Sequence, residues 1–317
     1  MSALNNTIKV MTWNIHGAAN PGWERKIKVE KVDLIMAQNA DIFVLTEFVV
    51  MAGIDYLFQQ MKEKGYIWFY NSETGKNGIL IAVKEKIIRD LSGLSNSEKK
   101  DWIEKKKELT GSIYKDKLVV SSAELGYKGC NLLRVKIPIK DKFSLSVVGF
   151  RMDVEIQKTD EERWKEYRKR KEYFEKLLPF FQNEVKNMNE NDLYILCGDF
   201  NNAQCREKLI GNYDENNNVY KTKSLDQQEY NLNYIKQKLN NQGFYLADIN
   251  MEKENNNKAN SFGYATWNKI PDDHIFYHGF TNKEGEVPIE VIEVKDFEKR
   301  YDMVLSDHDI LIAELNY

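Results

Sequence analysis

The chain has 317 residues, 42% of them hydrophobic, and a formal net charge of -3 with an isoelectric point near 6.0. That length and apolar content suffice for one large sheet-based core. The near-neutral balance excludes a protein that holds nucleic acid through its overall charge, so any polyanion must be gripped by a local patch. Three cysteines, Cys130, Cys197 and Cys205, are odd in number and lack metal-ligand spacing. They read as structural thiols of a reducing compartment, taken as the cytoplasm. The N-terminal residues carry no basic segment followed by an apolar stretch, and no run reaches the length of a membrane span. No partner protein can be read from the chain.

In chain order, residues 8–13 alternate like a strand and run into Asn14-Ile15-His16-Gly17. A helical pattern through Ile27, Val32, Ile35 and Met36 follows, then an apolar run over 41–46 that ends on Glu47. A second helix over 54–64 is closed by Gly65, ahead of a strand over 66–70. Asn77-Gly78 before the run 79–83 signals a hairpin. Mixed charges at helical spacing over 98–109 predict a solvated, self-neutralising helix. The apolar run 144–150 ends on Arg151.

Thr159 and Glu162 have capping-box spacing, so a long helix should begin near Asp160, with Tyr167, Phe174, Leu178, Phe181 and Val185 as its buried stripe. Pro179 should kink or divide that helix. Its segment 163–171 interleaves aromatics with basic residues, as nucleic-acid surfaces do, but its spacing favours the wet face of an amphipathic helix. The run 193–197 is too short for a helix, and Gly198 lets the backbone turn as it ends in Asp199-Phe200-Asn201. Asn-rich stretches at 216–218 and 255–257 read as loops around a helix over 232–240. Last, Asp273-His274-Ile275-Phe276 and Ser306-Asp307-His308 precede the final run 310–313. No proline-rich linker divides the chain, so residues 1–317 are expected to form one domain, with insertions at 84–117 and 204–261.

Apolar runs that repeatedly terminate on polar groups place those groups along a shared edge, where sheet enzymes bind ligands. The ordered set Trp13-Asn14-Ile15-His16-Gly17, Glu47, Gly198-Asp199-Phe200-Asn201, Asp273-His274-Ile275-Phe276 and Ser306-Asp307-His308, with Thr266-Trp267 ahead of Asp273, resembles the endonuclease/exonuclease/phosphatase superfamily, the DNase I-like fold. The resemblance implies an α/β (α+β) four-layered sandwich, two mainly antiparallel sheets packed face to face with helices on both outer sides. It also implies phosphoester hydrolysis at one edge.

In the roles so implied, Asn14, Glu47 and Asp307 hold Mg2+ or Mn2+, a choice that agrees with their hard oxygen donors. Asp199 orients or deprotonates the attacking water, and Asn201 holds a phosphate oxygen. His308 faces the scissile phosphate, with Asp273 fixing its ring. Arg151 stands where many family members carry histidine. It cannot exchange protons at neutral pH, yet its fork suits a phosphate. Two uses for it stay open here, a phosphate clamp and a pair with Asp153 or another site carboxylate. His16, His274 and His278 read as structural.

Three functions follow. The first is a metal-dependent phosphodiesterase acting on DNA or RNA, with nucleic acid as its partner. The second keeps the machinery for a small phosphorylated molecule or lipid headgroup. The third is a catalytically weakened binding module, in which Arg151 marks lost chemistry.

Overall fold

The computed structural model describes residues 6–16, 27–72, 77–88, 119–121, 129–139, 143–154, 160–202, 213–214, 219–220, 230–247, 272–294, 298, 305–306 and 308–317. The expected helix over 98–109, both Asn clusters, Thr159, Cys205, Thr266-Trp267 and Asp307 lie outside these residues. Of the expected insertions, 84–117 is described only as far as residue 88, and 204–261 only at 213–214, 219–220 and 230–247.

Strands β1 (Thr7–Asn14), β2 (Ile42–Phe48), β3 (Tyr66–Tyr70) and β4 (Gly78–Lys84) come first in the chain. With β13 (Ile289–Ile292) and β14 (Ile310–Asn316) they form a six-stranded sheet in the order β13-β14-β1-β2-β4-β3. The second six-stranded sheet is built from β5 (Val119–Ser121), β6 (Cys130–Pro138), β7 (Ser144–Met152), β8 (Asp192–Asp199), β11 (Tyr245–Leu246) and β12 (Asp273–His278), in the order β11-β12-β8-β7-β6-β5. A separate pair, β9 (Tyr213–Asp214) with β10 (Val219–Tyr220), stands apart from both.

Each large sheet has one parallel pair, β1 with β2 and β7 with β8, and the other pairs are antiparallel. A parallel pair needs a crossover. Helix α1 (Val29–Ala37) makes the first, and α3 (Asp160–Lys186) the second. The other two α-helices among the described residues are α2 (Ile54–Glu63), one residue shorter than its sequence pattern predicts, and α4 (Leu232–Asn240), at the predicted bounds.

The two-residue period of a strand sorts the apolar side chains into layers. In β8, Leu193, Ile195 and Cys197 face the other sheet, while Tyr194 and Leu196 sit under α3 and α4. In β1, Ile8 and Val10 join that central layer, and Met11 and Trp13 pack beneath α1 and α2. The result is helices, sheet, sheet, helices, the four-layered sandwich that the resemblance implies.

Helix α3 differs from its expected stripe. Its buried positions are Glu166, Arg170, Phe174, Leu177, Phe180 and Phe181, each three or four residues from the one a turn before it, while Tyr167, Leu178 and Val185 are half-buried. Nor does Pro179 divide the helix, which runs unbroken from 160 to 186. An interior proline costs about 3 kcal/mol. The fully buried Phe174, Leu177 and Phe181 on either side of it each contribute about 1.5–3 kcal/mol against one sheet, enough to keep the helix continuous across the proline.

Among the described residues, no helix is long and apolar enough to cross a membrane. Cys130 and Cys197 are buried free thiols.

Candidate active site

The central layer explains why polar groups meet at one end of the sandwich. Asn14 continues the inward row Ile8, Val10 and Thr12; Asp199 continues Leu193, Ile195 and Cys197; Arg151 continues Leu145, Val147 and Gly149; Asp273 continues Tyr277 and Ile275. Register brings them level. Asp199 is paired with Arg151 on one side and with Asp273 on the other.

Glu47 reaches the same place by another route. Strict alternation would put it on the outer face with Phe43 and Leu45, but the β2–β4 register shifts between Thr46 and Phe48 and Glu47 takes a left-handed φ of 52°. The irregular step turns its carboxylate inward, the usual effect of a bulge at a sheet end.

The Asn14 amide is the hub. Its Nδ2 donates to Glu47 Oε1 at 3.2 Å and Asp199 Oδ2 at 2.8 Å, and lies 3.5 Å from His308 Nε2. Its Oδ1 accepts the His16 backbone N–H at 2.9 Å, so the amide presents its donor end to the carboxylates. His308 Nδ1 is 2.6 Å from Asp273 Oδ2. The segment that carries His308 is tied to the end of β1, because Ser306 Oγ donates to the Asn14 carbonyl at 2.6 Å and Trp13 Nε1 donates to the His308 carbonyl at 2.9 Å.

Asp199 is held by the residue two positions on. The Asn201 backbone N–H donates to Oδ1 at 2.9 Å, and its Nδ2 donates to Oδ2 at 3.0 Å and to the Met152 carbonyl at 2.8 Å. Asn201 itself has φ 47°, and Arg170 of α3 donates to its carbonyl at 2.6 Å.

Arg151 lies on Glu47. Its Nε and Nη2 donate to the same oxygen, Oε1, at 3.1 and 2.8 Å, and Nη1 donates to Asp153 at 3.2 Å. Of the two uses read from sequence, the carboxylate pair is the one present in this structure. Burial opposes the Glu47 charge, yet Arg151, His16 and the Asn14 bond outweigh it and hold this carboxyl below its ordinary range. Burial pushes Asp199 the other way, upward, and the Glu47 charge adds to it against the pull of His308 and Arg151. Two neighbouring carboxylates are thereby driven apart in proton affinity, a pattern that active sites share.

Glu47 Oε2 is buried and accepts no hydrogen bond among the described residues. An anionic oxygen left open in this way fits a hard cation of the Mg2+ or Mn2+ kind. Within the described residues no cluster of three His, Cys, Asp or Glu side chains forms a metal-binding group, and Asp307 is not among them.

The residues singled out in sequence therefore meet, apart from Asp307. His274 and His278 are structural as read, 2.7 Å from Asn202 Oδ1 and the Gly243 carbonyl. Two residues escaped the sequence reading. Arg170 lay within a segment whose spacing favoured a solvated face, and only its place at i+4 before Phe174 marked it as buried. Asp272 was hidden beside Asp273. It is buried, its Oδ1 accepts no hydrogen bond among the described residues, and its backbone carbonyl takes the Phe200 N–H at 2.7 Å.

No protein-family model matches the chain, and no curated protein sequence matches it. Solved structures do. TDP2 from D. rerio complexed with a single-strand DNA product matches over 99% of this chain and 100% of that one, with a TM-score of 0.52 at 12% identity. The 3′ phosphatase NExo from Neisseria, bound to a product DNA hairpin, matches over 98% of this chain and 100% of its own, with a TM-score of 0.51 at 16% identity. An endonuclease/exonuclease/phosphatase from Beutenbergia cavernae matches over 98% of this chain and 71% of its own, with a TM-score of 0.51 at 15% identity. Joined to the paired six-stranded sheets, these likenesses show that the chain has the DNase I-like fold.

Proposed function

We propose that this chain is a metal-dependent phosphoesterase that hydrolyses phosphodiester bonds, a nuclease acting on DNA or RNA. The observation that carries the reading is the Asn14 amide, which draws Glu47 and Asp199 together beside His308 from opposite sheets. Glu47, with Asp307 and Asn14, would hold Mg2+ or Mn2+. That ion, when bound, neutralises phosphate charge and stabilises the leaving oxygen.

Asp199, raised by burial, orients a water against phosphorus and accepts its proton as the new P–O bond forms and the ester P–O bond breaks. Asp273 holds the His308 ring so that Nε2 faces the phosphate oxygens as charge builds on them. Asn201 fixes the Asp199 carboxylate and, by exchanging one of its two Nδ2 bonds, would hold a phosphate oxygen, and Arg151 clamps the substrate phosphate. The nucleic-acid substrate is supported by the DNA products bound to TDP2 from D. rerio and NExo from Neisseria. A small phosphorylated substrate is the second reading, favoured by the net charge of only -3. The free Cys130 and Cys197 accord with a cytoplasmic setting.

The test is hydrolysis of single- and double-stranded DNA, RNA, bis-p-nitrophenyl phosphate and inositol phosphates with Mg2+, Mn2+ or EDTA, beside Asp199→Ala and His308→Ala. Metal-dependent cleavage abolished by both substitutions is expected, with polynucleotides preferred. No turnover with either metal would sink the phosphoesterase reading, and a preference for inositol phosphates would move the substrate to the second.

A further inference from the structure

Arg151 spends two donors on one oxygen of Glu47, the carboxylate assigned above to the cation. Both Nε–H and Nη2–H fall on Oε1, and Oε2 keeps no partner among the described residues. A guanidinium on a carboxylate supplies the same thing as a divalent ion, positive charge at a buried anionic oxygen, but it cannot be lost by deprotonation. The two partners differ in freedom. Glu47 is set by its backbone, at φ 52° in the irregular step of β2. Arg151 stands at the end of a long flexible side chain that is 13% exposed, and its third bond already leads outward to Asp153, which is 53% exposed. Arg151 is therefore the partner that yields.

From this geometry we propose that Arg151 is a built-in competitor of the divalent cation. It neutralises Glu47 in the metal-free chain, opposes a cation at the open Oε2 through its charge on Oε1, and yields Glu47 when a cation binds there. The inference rests on the cation reading of Glu47 given above, and it concerns occupancy rather than chemistry. It also joins the two uses of Arg151 read from sequence, since a guanidinium displaced from Glu47 is the one free to meet a phosphate.

The experiment is Mn2+ binding by calorimetry and by electron paramagnetic resonance of free Mn2+, on the full chain without substrate. Arg151→Gln keeps polar bulk without charge, and Arg151→Lys keeps the charge without the fork. Breaking a contact ion pair such as Arg151–Glu47 is worth about a factor of ten in affinity in a partly buried site. The expected order is therefore tightest binding in Arg151→Gln, intermediate in Arg151→Lys and weakest in the natural chain, with Glu47→Gln abolishing binding in each background. Equal affinities in the natural chain and Arg151→Gln, lost together on Glu47→Gln, would overturn the competitor while leaving the cation at Glu47. Weaker binding in Arg151→Gln would overturn it also. Absence of Mn2+ binding in every variant would remove both readings. Circular dichroism and thermal melting of each variant separate a lost site from a lost fold.

Discussion

A methyl group at position 198 has nowhere to go. Gly198 sits at φ 136°, one residue before Asp199, and a Cβ there would lie 2.1 Å from the Phe150 carbonyl oxygen and 3.0 Å from Thr46 Cγ2. Real Cβ contacts essentially never fall under 3.0 Å, so Gly198→Ala must open β7 from β8 by 0.9 Å or more, the difference between 3.0 and 2.1 Å. The conformation costs an L-residue about 1–3 kcal/mol, and forcing a methyl into a packed contact costs about 1–3 kcal/mol more. Together these amount to about 2–6 kcal/mol, a large part of the stability of an ordinary domain. The opening falls where Arg151 and Asp199 are paired, so the site should lose about a hundredfold in turnover, the scale set by a 1 Å misplacement. Urea unfolding followed by circular dichroism reads the first effect, and hydrolysis of bis-p-nitrophenyl phosphate the second. Gly65→Ala is the control. Its φ is 71° but nothing lies within 4 Å of the added methyl, so it should cost only about 1–2 kcal/mol and leave turnover alone. If Gly198→Ala kept the natural urea midpoint and turnover, or if Gly65→Ala were equally damaging, the argument from close approach would be wrong.

Burial, then the Asp199 charge, raises Asp272 well above its ordinary 3.8. Between those values the folded chain keeps a proton that the unfolded chain has released, so stability falls as pH rises through the window and stays reduced above it. Asp272→Asn escapes this, and its melting temperature relative to the natural chain should climb as pH rises above the ordinary carboxylate range; a constant difference would refute the assignment. On α3, Leu177→Ala should cost about 2–5 kcal/mol and the half-buried Leu178 distinctly less, as measured by chemical denaturation, whereas the reverse order would restore the stripe read from sequence.

Much of this molecule is written locally. An apolar run that stops at Asn14, Asp199 or Arg151 carries its own parity, and alternation alone assigns each terminal residue to the face of its strand's inward row. Gly65 after α2 acts through backbone conformation, at φ 71°, which a neighbouring residue cannot disguise. Hence β1 to β4, β7, β8, β12 and β14, the helices read over 54–64 and 232–240, and the grouping of Asn14, Glu47, Asp199, Asn201, Asp273 and His308 were legible in the chain, whereas β5, β6, β11 and β13 carried no such signal.

What the chain could not disclose by itself depends on distances between residues far apart in it. The inward turn of Glu47 comes from a register shift against β4, and no local pattern in 42–48 signals it. The contact of Arg151 with Glu47 comes from the approach of the two sheets, which puts Glu47 2.8 Å from its Nη2. Arg170 and Leu177 became buried, and Leu178 did not, because the rotation of α3 is set by the sheet beneath it and by the Asn201 carbonyl at its end. Local sequence thus determined which strand ends are polar and, where alternation is unbroken, which way they point. Only the packing of one sheet on the other determined which charges would touch, because the strength of an ion pair depends on separations that alternation and propensity do not encode.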